Sequence, residues 1–458
     1  MNVEKGGPPI AIGALAVIDG PAPTLDEYRE SVAGRIAGKM RQRLVPDPLR
    51  VRQPEWEDAE PDLTRQIREL AVPAPGGQDE LQDAVAQIMA VPMDHELPLW
   101  DSTLITGLPE DAWAAVTRVH HSVADGQGSL LLTGRLIDVD PEGTKSLTAA
   151  LDQMMSAGVA SRLASEEEGE KASTTARLAE ATQKGGDLLL RAMRTLTSAS
   201  ATGEAVTAAT NAASKALDAL GSQLPQSPGP LAGDPGKDRA WVMTQVSMAD
   251  VKTIRSTLGG TVNDVVMTLM SGGLARAIAK MGLDADVVRV MIPLSLRTPG
   301  DLTSNNQVSA LLVVLPLGGS ATERLADIRA HIDAVKDLNT GAAGSTAQNI
   351  IDRTVPAFVQ TFAVSNLAGR LSGAFSETLV TNVPGPQFPI YVMGRHVNVL
   401  APIIPLGEPL RLSTGIMSLN GTLHFGISGG EGVTDAVAEV ASGVQETLAS
   451  LLQAARGA

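Results

Sequence analysis

The sequence predicts a two-domain α/β protein, and three observations carry that expectation. The chain has 458 residues, enough for two domains that each bury a core of their own. Runs that read as strands and as helices occur both before residue 145 and after residue 238. Between them, residues 145–238 are dominated by Ala, Ser, Thr, Glu and Lys and carry no strand signal. The expected division is an N-terminal domain at 1–144, a helical crossover and linker at 145–238, and a C-terminal domain at 239–458.

Residues 10–18 read as the first strand, closed by Asp19-Gly20-Pro21. Thr24-Leu25-Asp26-Glu27 has the capping-box pattern, so a helix is expected from there to about Met40. Residues 79–90 read as a short amphipathic helix, Pro98-Leu99-Trp100 opens a strand, and residues 114–119 form another. Residues 129–136 read as the start of a helix. In the connector, helices are expected at 149–157, 171–184 and 203–220, followed by a Pro/Gly-rich linker at 222–237. An amphipathic membrane contact is the alternative use of these helices, and the acidic run Glu166-Glu167-Glu168 speaks against it on one part.

The second domain opens with a strand at 240–246 and a helix capped by Ser247. Thr261-Val262-Asn263-Asp264 heads a helical run at 265–278, and Ile292-Pro293-Leu294-Ser295-Leu296-Arg297 ends a strand. A strand at 378–381 leads into Thr381-Asn382-Val383-Pro384-Gly385-Pro386, which reads as a rigid turn. Asn420-Gly421 between two apolar runs is a hairpin signal, and residues 435–454 close the chain as an amphipathic helix.

Composition narrows the function classes. Cysteine is absent, which excludes disulfides, a thiolate nucleophile and any Cys-based metal site, and a reducing cytoplasm is the expected home. The formal net charge of −15 argues against nucleic acid, whose phosphates call for clustered Lys and Arg. It also argues against adhesion to anionic membranes by bulk charge. The first nine residues carry no apolar core of a secretory signal, so none is expected. The longest apolar stretches, such as 308–317, are strand-sized and fall short of the roughly 18–20 residues of a spanning helix.

The chemistry concentrates in Val119-His120-His121-Ser122-Val123-Ala124-Asp125-Gly126, where a strand runs out into a turn. A strand end that presents an imidazole suits a general base, because His titrates near neutral pH. Asp125 can fold back to fix the turn, through a buried Arg or backbone N–H groups. Gly126 supplies backbone freedom for a tight exit. Arg297 is a plausible bidentate partner for Asp125. Asn and Asp favour helix N-termini in any protein, and Asn263 and Asp264 could equally aim an amide into a cleft. A Trp opening a strand is most often core packing, and Trp100 is read that way. Gly426-Ile427-Ser428-Gly429-Gly430 fits a nucleophile elbow, but no His follows Ser428 and the hydrolase triad order fails. No metalloprotease, P-loop or dinucleotide motif is present, so no metal or bound cofactor is expected.

His120-His121-x-x-x-Asp125-Gly126 resembles the active-site motif of the CoA-dependent acyltransferase superfamily. In its doubled-His form it resembles the bacterial wax ester synthase/diacylglycerol acyltransferase family. Pro98-Leu99-Trp100, Asn263-Asp264, Pro293-Leu294-Ser295-Leu296-Arg297 and Asn382-Val383-Pro384-Gly385-Pro386 extend the resemblance in order, from about Ala11 to Leu452. Departures are Gln66, where members often carry His, Ser304-Asn305-Asn306-Gln307 in place of Gly-Asn, and the missing Ser/Thr-x-x-Asp lead-in. The resemblance implies a chloramphenicol acetyltransferase-like fold with an active-site tunnel between the domains. It implies acyl transfer from long-chain acyl-CoA, a co-substrate, to the hydroxyl of diacylglycerol or of a long-chain alcohol. It implies catalysis by His121, support of the loop by His120 and Asp125, and a donor at Asn263. Gly126, Asp264, Arg297, Trp100 and Asn382 would support the site. The lipid substrates imply peripheral contact with the inner membrane or lipid droplets. A non-catalytic lipid-binding relative and a carrier-protein-dependent condensation enzyme are the competing readings; the intact His121, Asp125 and Asn263 weigh against the first, and the downstream motifs against the second.

Overall fold

The computed structural model describes residues 10–45, 54–123, 128, 132–150, 229–295, 308–339 and 376–457. The chain begins with β1 (Ala11–Ile18) and α1 (Leu25–Ala33). Thr24 and Glu27 close the expected capping box: the Glu27 carboxylate accepts the Thr24 N–H at 2.8 Å, and the Thr24 hydroxyl accepts the Glu27 N–H at 3.3 Å. The helix ends at Ala33, well short of Met40. Gly34 caps it, and a separate 3₁₀ turn follows at Gly38–Arg41, with Gly38 at φ 59°. Next come β2 (Gln42–Val45), β3 (Glu55–Asp58), α2 (Leu63–Gln66), β4 (Ile67–Ala71), α3 (Gln78–Ala90), β5 (Trp100–Thr106) and β6 (Trp113–His120). Of the helix expected at 129–136, the described part is helical at 132–133 and passes into a 3₁₀ turn at Gly134–Leu136.

The later part holds β7 (Ala240–Ser247), α4 (Met248–Leu258), α5 (Val262–Lys280), β8 (Val287–Ser295), β9 (Val308–Pro316) and α6 (Ala321–Asn339). Then follow β10 (Thr378–Val383), β11 (Tyr391–Val392), β12 (Arg395–Ile403), β13 (Leu412–Leu419), β14 (Thr422–Gly429) and α7 (Val437–Gly457). β10 runs on through Val383, so Asn382 lies in the strand rather than in a turn beyond it. The hairpin at Asn420-Gly421 joins β13 to β14, with both turn residues at positive φ as a tight primed turn requires. The connector helices expected at 171–184 and 203–220, and most of 149–157, lie outside the described residues.

Two six-stranded mixed sheets form the frame, ordered β11-β12-β1-β6-β5-β4 and β7-β14-β13-β10-β8-β9. The first sheet is not built from the N-terminal residues alone. β12 pairs antiparallel with β1, from Gly13 opposite Ile403 to Ile18 opposite Val397, and β11 pairs with β12. Residues 391–403 therefore cross from the C-terminal stretch into the first sheet. β12 is apolar on both faces: Val397 and Leu400 enter one core, and Val399, Ala401 and Ile403 the other. A strand buried on both sides needs a partner on each edge, and β1 offers a free one. The expected linker at 222–237 also ends early. Leu231 is fully buried in the core of the second sheet, and Arg411 donates to the Pro230 carbonyl at 2.9 Å.

Three cores result. One lies between the second sheet and α4, α5, α6 and α7. A second lies on one face of the first sheet, under α1, and takes in Met417 and Leu419 of β13. The third lies on the opposite face, under α3, and takes in Trp241 and Met243 of β7. Where β12 meets the second sheet, Gly415 and Gly426 face each other across β13 and β14. A Cβ at Gly426 would stand 1.8 Å from the Pro402 carbonyl oxygen, and one at Gly415 would stand 2.6 Å from Pro402 Cβ. Only a side-chain-free notch lets the crossing strand approach so closely.

Candidate active site

The histidine pair sits at the end of the central strand β6, between β1 and β5. The His120 N–H donates to the Leu99 carbonyl at 3.0 Å, and the His121 N–H donates to the Ile10 carbonyl at 2.8 Å. The two rings have different surroundings. His120 is 2% exposed, and its Nδ1 accepts the Ser122 N–H at 3.0 Å and lies 2.7 Å from the Ser122 hydroxyl. A nitrogen that accepts a backbone N–H carries no proton of its own, so the neutral ring is the Nε2–H tautomer. His121 is half-buried, at the first position of the turn. Lys39 reaches the same turn and donates to the Val123 carbonyl at 3.3 Å, and burial lowers its pKa. His95 stacks edge-on to His120 with ring centroids 5.7 Å apart. Sequence reasoning passed over Lys39 and His95, because neither stands in a motif.

Trp100 stands opposite Val119 across the β5–β6 ladder, 2% exposed, and its indole N–H donates to the Met40 carbonyl at 2.9 Å. Gln66 holds the Pro98-Leu99-Trp100 segment. Its amide nitrogen donates to the carbonyls of Pro98 and Trp100 at 2.9 and 2.8 Å, and its oxygen accepts the Asp62 N–H at 3.0 Å. A side-chain amide, donor and acceptor at once, can make this set of bonds. That explains how the departure at Gln66 is accommodated.

The other expected residues divide in two. Val383, next to Asn382, packs in the same apolar core as Val119, Val123, Trp100 and Met417. The Asn382-to-Pro386 segment is thereby brought to the core that underlies the histidine turn, and the Gly385 N–H fixes it to the Ser418 hydroxyl at 3.1 Å. Asn263 and Asp264 stand instead at the head of α5, over the helix-side core of the second sheet. Asp264 and Thr261 form the cap: the carboxylate accepts the Thr261 N–H at 2.7 Å, and the Thr261 hydroxyl accepts the Asp264 N–H at 3.2 Å. The cap is complete without the Asn263 side chain, which is half-buried. Asp125, Gly126 and Arg297 lie outside the described residues, and so does their expected pairing.

A different bidentate pair is present. Arg118, 2% exposed and two residues before His120, meets the Asp101 carboxylate through Nε at 2.9 Å and Nη2 at 2.5 Å. Its remaining nitrogen donates to the Ile88 and Val91 carbonyls at the end of α3. Among the described residues no three His, Asp or Glu side chains gather as a metal site would require, and no helix is long and apolar enough to cross a membrane.

Residues 1–266 match the model of the wax ester synthase/diacylglycerol acyltransferase catalytic domain, and residues 304–452 match the C-terminal domain of the same family. The chain belongs to the wax ester synthase/diacylglycerol acyltransferase family. It is an acyltransferase, and it has the fold of CoA-dependent acyltransferases. A probable diacylglycerol O-acyltransferase of Mycobacterium tuberculosis is 30% identical to it, over 97% of this chain and 91% of the relative. A second M. tuberculosis relative, a putative diacylglycerol O-acyltransferase, is 28% identical over 92% of this chain and 80% of its own length. Among solved structures, the Marinobacter aquaeolei wax ester synthase/diacylglycerol acyltransferase superposes with a TM-score of 0.68 at 21% identity, covering 99% of this chain and 97% of that one. A condensation domain of the calcium-dependent antibiotic synthetase reaches 0.54 at 15% identity, covering 98% and 93%. At these identities the structures speak for the fold alone.

The acyltransferase carries one more imidazole that sequence reading left aside. His424 on β14 is 1% exposed, and burial pushes its pKa down to about 4. In the unfolded chain it would titrate near about 6.5, so protons bind the unfolded state preferentially. The stability that neutral His424 contributes is fully present above about pH 6.5 and is lost as the pH falls toward about 4. Between pH 6.5 and 5 the wild type should lose about 1.5 kcal/mol more stability than a His424→Leu variant. Urea unfolding of both proteins at the two pH values measures this, and parallel pH dependence in the two would exclude it.

Proposed function

We propose that this acyltransferase moves the acyl group of a long-chain acyl-CoA onto the free hydroxyl of diacylglycerol, making triacylglycerol for lipid storage. The observation that carries the reading is the contrast at the end of β6 within the family's motif. His120 is buried with Nδ1 engaged by Ser122, and His121 is half-buried at the turn. In the proposed reaction His121 takes the proton of the acceptor hydroxyl. The oxygen forms a bond to the thioester carbonyl carbon, the carbon–sulfur bond breaks, and the CoA thiolate leaves and is reprotonated. No covalent enzyme intermediate is required, because the thioester is already activated. His120 keeps the turn in shape, and the roles proposed for Asp125, Gly126 and Arg297 are to support the same turn. Asn263 is the proposed hydrogen-bond donor near the reacting carbonyl. Trp100, Asp264 and Asn382 hold the surrounding frame, and the substrates meet in a tunnel between the two halves.

A wax ester synthase using long-chain alcohols is the second reading, favoured by the match to a family named for both activities. Purified protein assayed with palmitoyl-CoA against diolein and hexadecanol tests both. Faster turnover of diolein is expected, faster turnover of hexadecanol would shift the assignment to wax esters, and no transfer to either would defeat both.

Such substrates partition into lipid, so we also propose peripheral association with membranes or lipid droplets from the cytoplasmic side. The net charge of −15 makes bulk attraction to anionic headgroups unfavourable, which leaves local apolar contact. The protein should float with neutral-lipid emulsions, resist moderate salt, and come off in carbonate. Protein that stays wholly unbound while turning over long-chain substrate at full rate would rule this out.

A further inference from the structure

Along β14, Leu423, Phe425 and Ile427 enter the core under the helices of the second sheet. Side chains alternate across a strand, so His424, Gly426 and Ser428 face the other way, toward the first sheet. Gly426 demonstrates this by its contact with Pro402 of β12. The register sets His424 opposite Met417 on β13 and Gln245 on β7. Met417 belongs to the same apolar core as Val119, Val123 and Trp100, residues around the histidine pair. A Cβ at Gly385 would stand 3.0 Å from Met417 Cγ, so Met417 also touches the segment that begins at Asn382. His424 is thus the cross-strand neighbour of the residue that links two of the family's motifs.

Neither Nδ1 nor Nε2 of His424 has a hydrogen-bond partner among the described residues. Ser428, on the same face, buries a hydroxyl that also lacks one. Buried polar atoms are almost always paired, so orphans such as these call for a partner that is not part of the folded chain, a ligand or a water. A neutral imidazole offers one donor and one acceptor. That pairing suits an amide, an ester carbonyl or a hydroxyl, and is ill-suited to a phosphate or carboxylate, which calls for cationic donors.

We propose that His424 is a substrate-positioning residue, which hydrogen-bonds an uncharged polar group of one of the two substrates at the joint between the sheets. The amides of the acyl-CoA arm and the hydroxyl or ester groups of the glyceride share this chemistry. The proposal rests on the acyl-transfer reading above for its ligands.

The test uses His424→Leu, which removes both ring nitrogens, and His424→Gln, which keeps a donor and an acceptor. Binding of palmitoyl-CoA by calorimetry, and of diolein in detergent micelles by fluorescence, is measured on the full chain. The KM of each substrate is measured with the other saturating. About a tenfold weakening for one substrate in His424→Leu is expected, largely restored in His424→Gln, with little change in kcat. A change confined to palmitoyl-CoA assigns the contact to the acyl-CoA arm, and one confined to diolein assigns it to the glyceride. Unchanged binding and KM for both substrates in a folded variant would overturn the proposal and leave a buried water as the partner of His424. Should His424→Leu fail to fold, unchanged affinities in a folded His424→Phe variant would overturn it equally. A wild type that binds these ligands without turnover would count against the acyl-transfer reading alone, because the binding comparison still decides the role of His424.

Discussion

A His121→Ala variant is expected to lose acyl transfer by about 10²–10⁴-fold, the usual contribution of a positioned general base, and to keep its fold. The fold should survive because the His121 backbone N–H bonds the Ile10 carbonyl, and alanine retains that bond. The ring itself is half-buried, so truncating it leaves a smaller defect than truncating a core side chain. His120→Ala should behave differently. Its ring is buried, accepts the Ser122 N–H and stacks against His95. Removing it takes the acceptor from the half-buried Ser122 N–H, at a cost toward the lower end of about 1–3 kcal/mol, and loosens the turn that presents His121. The distinguishing measurements are kcat and the melting temperature of both variants. The expected pattern is lost rate with normal melting for His121 and lowered melting with partial activity for His120. If folded His120→Ala is the more severely inactivated of the two, the base has been assigned to the wrong ring.

What could be read from the sequence was what is encoded locally. The capping box at Thr24 and Glu27, the hairpin at Asn420-Gly421 and the strand leading to His120 each depend on neighbouring residues, and each is found where expected. The motif that marks the candidate site is local as well. The crossing of residues 391–403 into the first sheet was not legible, because β12 looks like any apolar strand and its partner β1 lies at the far end of the chain. The notch at Gly415 and Gly426 is its visible trace: two glycines inside strands signal close approach of another backbone, but not of which one. The early end of α1 turned on Gly34 and Gly38 outweighing a continuing polar and apolar pattern. Gln66 showed in the sequence only as a departure, and its three hydrogen bonds became evident once α2 was set beside the start of β5. His424 carried no sequence signal, because a His alternating with apolar residues in a strand is ordinary until its face of the sheet is known.

The Arg118–Asp101 pair was likewise hidden, as one charged residue in each of two apolar strands, and it carries the largest expected effect on stability. The two residues are cross-strand partners on β5 and β6, bonded through two nearly parallel contacts and almost sealed from water. The same guanidinium donates to two carbonyls at the C-terminal end of α3, that of Val91 and that of Ile88, which also accepts the Val91 N–H. Removal of one partner strands a charge in the interior, at a cost of about 3–5 kcal/mol. Asp101→Ala should therefore unfold at markedly lower urea concentration. It should also lose activity in proportion to its unfolded fraction, since Arg118 precedes His120 by two residues on the central strand. Replacing both partners, as in Asp101→Leu with Arg118→Met, should recover much of the loss, because a buried ion pair exchanged for apolar packing is often neutral or stabilising. Recovery should be incomplete here, because the Val91 carbonyl would lose the Arg118 donor, while the Ile88 carbonyl would keep only the Val91 N–H. A single Asp101→Ala change that costs under about 1 kcal/mol, the range of exposed pairs, would mean that water reaches the pair.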